Sequence, residues 1–85
     1  MEDSSRKSAY STPDTALAAW LYSLGFELLD TDTSEFPTIF YFEDSDKELA
    51  RLARDFQIGR AEGNITAFFR AYKFLLGKIK VARHD

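Results

Sequence analysis

Two short alternating runs constrain this chain most: Phe26-Glu27-Leu28-Leu29-Asp30-Thr31 and Thr38-Ile39-Phe40-Tyr41-Phe42-Glu43. In extended backbone, successive side chains point to opposite faces. The first run therefore puts Phe26 and Leu28 on one face and Glu27, Leu29 and Thr31 on the other. The second sends Ile39 and Tyr41 one way, Phe40 and Phe42 the other. The polar link Asp32-Thr33-Ser34-Glu35-Phe36-Pro37 ends in a proline that cannot donate to a ladder. It exceeds a two-residue turn, which leaves the register open. The expectation is a two-stranded antiparallel hairpin. Such a hairpin is marginal in water, and both its faces are greasy, so it needs helices, another sheet or a second copy.

Three helical patterns supply the cover. Thr12-Pro13-Asp14 reads as a helix start, with Thr12 as N-cap and Pro13 at the first helical position. Leu17, Trp20, Leu21 and Leu24 then recur on one face, and Gly25 stops the helix. Ser45 and Glu48 have the spacing of a capping box before a second helix. Its stripe is Leu49, Leu52, Ala53 and Phe56, with Arg51 and Asp55 as an i,i+4 ion pair on the wet side. Asn64 reads as the cap of a third helix, about 65–80, with Ile65, Phe68, Phe69, Tyr72, Leu75, Leu76 and Ile79 as its stripe. The fold expected is a small α+β domain of order α-β-β-α-α, spanning residues 12–80. Residues 1–11, rich in serine, read as a mobile tail, and 81–85 as a frayed end.

An 85-residue chain with 45% hydrophobic residues suits one such domain. It has no cysteine, so disulfides and thiolate metal sites are excluded and a reducing compartment is the simpler expectation. The first residues lack the apolar stretch of a signal peptide, and no run approaches a membrane span. A cytoplasmic protein is expected, with no membrane partner. Charge is uneven: residues 1–63 carry 13 acids against six bases, and residues 64–85 five bases against one acid. A basic segment of this kind either complements the acidic body or marks an anionic partner.

The blocks Ala16-Leu17-Ala18-Ala19-Trp20-Leu21, Leu24-Gly25-Phe26-Glu27-Leu28-Leu29, Phe40-Tyr41-Phe42-Glu43-Asp44-Ser45, Asp55-Phe56 and Tyr72-Lys73-Phe74-Leu75-Leu76 carry a resemblance. In this order the chain resembles, over about residues 13–80, a family of small bacterial and phage proteins described as a domain of unknown function. The resemblance implies compact size and a phage or mobile-element context. It implies no catalytic residues.

The residues themselves point away from catalysis. The one histidine, His84, sits next to last, where nothing holds an imidazole as a triad requires. The acids Asp30, Asp32 and Glu35 lie at one end of the hairpin, and Glu43, Asp44, Asp46 and Glu48 at the other, roughly 20 Å away. They cannot form one acid–base pair. Asp30-x-Asp32-x-Ser34 begins like a calcium loop, yet its sixth and twelfth positions hold Glu35 and Tyr41 rather than Gly and Glu. No Gly-rich phosphate motif is present. Neither catalytic residues, a metal, a cofactor nor a small-molecule substrate is expected.

One residue stands outside the packing pattern. Phe74 lies nearly opposite the centre of the third helical stripe, with Arg70, Ala67, Ala71, Gly77 and Lys78 around it. Packing under the first helix or the tail would account for it, as would an interface. An aromatic among cations suits a contact patch with another protein or the stacking of a nucleic-acid base. Tyr41 with Ile39 forms a second candidate patch, on whichever hairpin face the helices leave bare. The expected function is a non-enzymatic protein-binding or adaptor domain, acting on a host protein or as a homodimer. The alternative is a nucleic-acid binder using the basic face of the last helix, namely Arg70, Lys73 and Lys80, with Lys78 alongside Phe74.

Overall fold

A computed structural model describes residues 9–34 and 36–83. The element order is β1 (Ala9–Thr12), α1 (Thr15–Ser23), β2 (Leu28–Asp32), β3 (Ile39–Glu43), α2 (Leu49–Gln57) and α3 (Ile65–Arg83). The fold is α+β with three helices, as expected, but the sheet has three antiparallel strands in the order β1-β3-β2. The expected two-stranded hairpin is thus corrected by a strand drawn from the supposed tail. Ala9–Thr12 pairs along the second edge of β3, with Tyr10 opposite Phe42 and Thr12 opposite Phe40. The physical reason lies in β3, whose Phe40 and Phe42 are completely buried. A hairpin alone would leave one of its ladders unmade. Tyr10 and Thr12 supply both the missing hydrogen-bonding edge and side chains for the inner face. Residues 1–8, the rest of the expected tail, lie outside the described residues.

The pairing of β2 with β3 also differs from simple alternation. Leu28 faces Phe42, Thr31 faces Phe40, and the register shifts between Leu28 and Asp30. This bulge inserts one residue, which puts Leu28 and Thr31 on the same face and leaves Leu29 exposed. The inner face therefore carries Tyr10, Thr12, Leu28, Thr31, Phe40 and Phe42. The outer face carries Ser11, Asp30, Asp32, Ile39, Tyr41 and Glu43.

The helices cover the inner face. α1 is the central one: Leu17, Ala18, Ala19, Trp20 and Leu21 are all buried. Their small alanines let neighbours approach on sides that a larger residue would hold apart. Leu49 and Ala53 of α2, and Ala71 and Leu75 of α3, complete the core. Full burial of a Phe or Leu side chain contributes about 1.5–3 kcal/mol, so Phe40, Phe42, Leu17, Leu21, Leu49 and Leu75 are its main apolar weight.

The caps show where sequence spacing misleads. Asp14 caps α1: its Oδ1 accepts from the N–H of Ala16 at 3.0 Å and of Leu17 at 3.2 Å. Thr12, expected in that role, is a buried strand residue whose Oγ1 accepts from the N–H of Asp14. Ser45 and Glu48 form no capping box. Asp44 does the work instead, accepting from the N–H of Glu48 at 2.9 Å and of Leu49 at 3.2 Å. Lys47 takes a left-handed φ of 58° between them, so the helix begins later than the motif implied. Asn64 caps α3 as expected, accepting from the N–H of Ala67.

Gly25 ends α1 as expected. At φ 103° it allows Phe26 N–H to donate to Leu21 and Gly25 N–H to Tyr22, the paired bonds of a Schellman end. The Arg51–Asp55 pair is present at 3.7 Å, with Glu48 adding a second carboxylate at 3.6 Å. At the far end, α3 stays helical through Arg83 rather than fraying at 81. His84 and Asp85 lie outside the described residues.

Candidate interaction site on the last helix

α3 carries more of the exposed large apolar residues than any other element, namely Ile65, Phe69, Phe74, Leu76 and Val81. It is anchored by a buried stripe of Ala71 and Leu75, with Phe68, Tyr72 and Ile79 packed against the core. That stripe is narrower than the sequence pattern. Three residues expected within it point to solvent: Ile65 is 83% exposed, Phe69 55% and Leu76 42%. The reason is that α1 is the helix α3 packs on, and one neighbouring helix covers only part of the circumference of α3. A broad apolar stripe cannot all touch one helix.

Phe74 stands on the other flank of the buried stripe. It is 45% exposed, and it stacks on Tyr22 of α1 with ring centroids 5.3 Å apart and planes 17° from parallel. Phe74 thus packs on the first helix through its ring, while nearly half of the residue remains at the surface. The Lys78 ammonium lies 5.4 Å from the ring centroid. A second aromatic–cation pair lies further round the helix, with Lys73 Nζ 4.9 Å from the Phe69 centroid. Contacts of this kind contribute about 0.5–1 kcal/mol at exposed sites.

Beside Phe74 runs a cleft of about 560 Å³, walled by Thr31 and Thr33 from the strand side and by Phe74, Gly77, Lys78 and Val81 from α3. Gly77 has no atom within 4 Å of where a Cβ would stand. Its lack of a side chain therefore deepens the cleft rather than relieving a clash. Lys78 also borders the bulged segment at Leu28, Leu29 and Asp30.

Among the six expected contact residues, the structure brings together Phe74 and Lys78. Arg70 and Lys73 are exposed on the same helix, and Lys73 turns to Phe69 rather than to Phe74. Ile39 and Tyr41 are half-buried on the outer sheet face, across the sheet from the helices. They form no common patch with Phe74. Sequence reasoning missed Tyr22, Thr31 and Thr33. Tyr22 stands three and four positions after the buried Ala19 and Ala18, which sets it beside the packed face of α1. Nothing local to Thr31 or Thr33 marks them as walls of a cleft.

The arrangement can hold an apolar group against Phe74 or Phe69 with a cation beside it. Among the described residues no group of three or more His, Cys, Asp or Glu side chains is placed to hold a metal ion. No described helix is long and apolar enough to cross a membrane. A family model described as a domain of unknown function, DUF5659, matches residues 7–81. No curated protein and no solved structure matches the chain.

Proposed function

The chain belongs to DUF5659, a domain family of unknown function, and from that starting point we propose that it is a non-enzymatic protein-binding domain that docks partners on α3. The observation that carries this reading is the exposure of Ile65, Phe69, Phe74 and Leu76 on one helix, interleaved with Arg70, Lys73, Lys78 and Lys80. Aromatic and apolar side chains set among arginines and lysines have the composition of protein interfaces. Exposed apolar residues that cluster, as Ile65, Phe69 and Leu76 do on one flank of α3, are a mark of interaction sites. The setting we propose is cytoplasmic, which the absence of cysteine favours. The partner proposed is a host protein, in keeping with a phage or mobile-element context.

The test is affinity capture from host lysate with wild type, Phe69→Glu and Phe74→Glu, each checked for folding by circular dichroism. A specific band present with wild type and reduced with either variant supports the reading. Identical profiles from all three proteins overturn it.

Two aromatic–cation pairs, Phe69 with Lys73 and Phe74 with Lys78, favour a second reading, nucleic-acid binding by stacking on a basic helix. The net charge of −3 weighs against it. Titration with mixed single-stranded DNA and RNA at low salt decides. Binding that weakens with salt and with Lys73→Glu supports this reading, and no binding removes it.

A further inference from the structure

We infer that the partner face of α3 is a helix-pairing seam, and that its occupant is an amphipathic helix from another protein carrying carboxylates beside its apolar stripe. This rests on the protein-binding reading and names the kind of partner.

The apolar residues Ile65, Phe69, Tyr72, Leu76 and Ile79 recur at intervals of 4, 3, 4 and 3. That is the 3.5-residue repeat of a helix–helix seam. The line that packs on the protein's own core runs beside it, through Phe68, Ala71, Tyr72, Leu75 and Ile79. The two lines share Tyr72 and Ile79, and Ile65, Phe69 and Leu76 belong to the second alone. α3 therefore has one apolar line for its own core and a second one beside it. Members of the second line are largely at the surface: Ile65, Phe69 and Leu76 are exposed, and Tyr72 and Ile79 half-buried. From Ile65 to Ile79 the seam is about 21 Å long at 1.5 Å per residue, four helical turns.

The flanks of the seam select the occupant. In heptad terms Phe69 and Leu76 are at a, Ile65, Tyr72 and Ile79 at d. The g flank is Phe68 and Leu75, turned into the protein's own core. The e flank is Lys73 and Lys80, both exposed. Between Ile65 and Arg83 there is no Asp or Glu. A parallel second copy would need the g flank, which the fold has already used. An antiparallel second copy would bring e against e, lysine against lysine, and like charges across a seam are a specificity penalty. An occupant whose residues facing Lys73 and Lys80 are Glu or Asp meets the apolar line and the charges together.

The test uses the full chain and three fluorescein-labelled synthetic 21-residue helices. One has Leu at a and d and Glu at e and g. The second has Lys in place of those Glu. The third keeps the Glu composition but scrambles the order so that no stripe forms. Fluorescence anisotropy is expected to show saturable binding of the first peptide at least tenfold tighter than of the other two. Phe69→Glu should weaken it at least tenfold. The double variant Lys73→Glu, Lys80→Glu should reverse the preference, binding the lysine peptide and losing the glutamate one. Circular dichroism melts confirm that these surface variants stay folded.

Equal binding of the ordered and scrambled acidic peptides overturns the inference, as does no binding of either. A concentration-dependent dimer in sedimentation that Phe69→Glu dissociates also overturns it, in favour of a second copy. Lysate capture that depends on Phe69 while the designed helix fails overturns this inference alone. Failure of both overturns the protein-binding reading as well.

Discussion

Tyr22 of α1 and Phe74 of α3 stack with centroids 5.3 Å apart and planes 17° from parallel. This one contact decides how the surface of the last helix is read. It makes Phe74 part of the joint between α1 and α3, and it leaves Phe69, on the other flank, as the aromatic with fewer duties inside the fold. A double-mutant cycle measures the joint. With Tyr22→Ala, Phe74→Ala and the double variant, urea denaturation should give a coupling of about 0.5–1.5 kcal/mol. A coupling near zero would make the stack a contact of geometry without energetic weight. Because of this coupling, Phe69→Glu is the cleaner probe of binding.

Trp20 locks α1 to the approach of α3. Its Nε1 donates to the carbonyl oxygen of Glu62 at 2.9 Å, and its ring stacks on Phe56 at 5.6 Å. Trp20→Phe keeps most of the apolar bulk and removes the donor. The expected loss is about 1–2 kcal/mol, the value of one hydrogen bond plus some lost packing. It should shift the urea midpoint and leave the denaturant slope unchanged. A change in slope would mean that the variant alters the denatured or native ensemble instead.

The capping assignments separate cleanly. Asp44→Ala removes the acceptor for two N–H groups at the start of α2 and should cost about 1 kcal/mol. Ser45→Ala should cost within about 0.5 kcal/mol, because what Ser45 contributes is a backbone N–H, donated to Glu43 Oε2. Thermal melts of both variants check this. The reverse order of stabilities would reinstate Ser45 as the cap.

Tyr10 ties stability to alkaline pH. Burial is the main cause that pushes its hydroxyl above the usual value of 10.0, with the charges of Asp14 and Asp44 adding to it. The folded protein therefore holds this proton to higher pH than the unfolded chain. The resulting contribution is fully present below pH 10, and it is lost as pH rises through the folded value. Lysines titrate nearby, so the informative quantity is the difference between wild type and Tyr10→Phe. Thermal midpoints from pH 8.5 to 11.5 should fall less steeply in the variant at the alkaline end. Parallel curves would show that Tyr10 ionises as freely in the fold as in the unfolded chain.

Much of the architecture was legible in the residues. The alternation of Phe40 and Phe42 against Ile39 and Tyr41, the repeat at Leu17, Trp20 and Leu21, the glycine stop at Gly25 and the asparagine cap at Asn64 are all local signals. Each depends on neighbours within one or two turns, so the sequence displays them directly. The site was less legible. Helical spacing set Phe74 beside Arg70 and Lys78, but which flank of the helix a neighbouring element would cover was not readable.

What only the tertiary structure decided was who meets whom. Ala9–Thr12 carries too little pattern to declare itself a strand, and becomes one because β3 offers a vacant edge. The bulge at Leu28–Asp30 reverses the face of Thr31, which no alternation rule foresees. The broad apolar stripe of α3 splits into a buried part and an exposed one because α1, the helix it packs on, covers only part of its circumference. Periodicity fixes the direction a side chain takes from its own backbone. Whether that direction ends in a core or in water depends on the shape of a neighbour distant in sequence, and for this chain the proposed function lies in that difference.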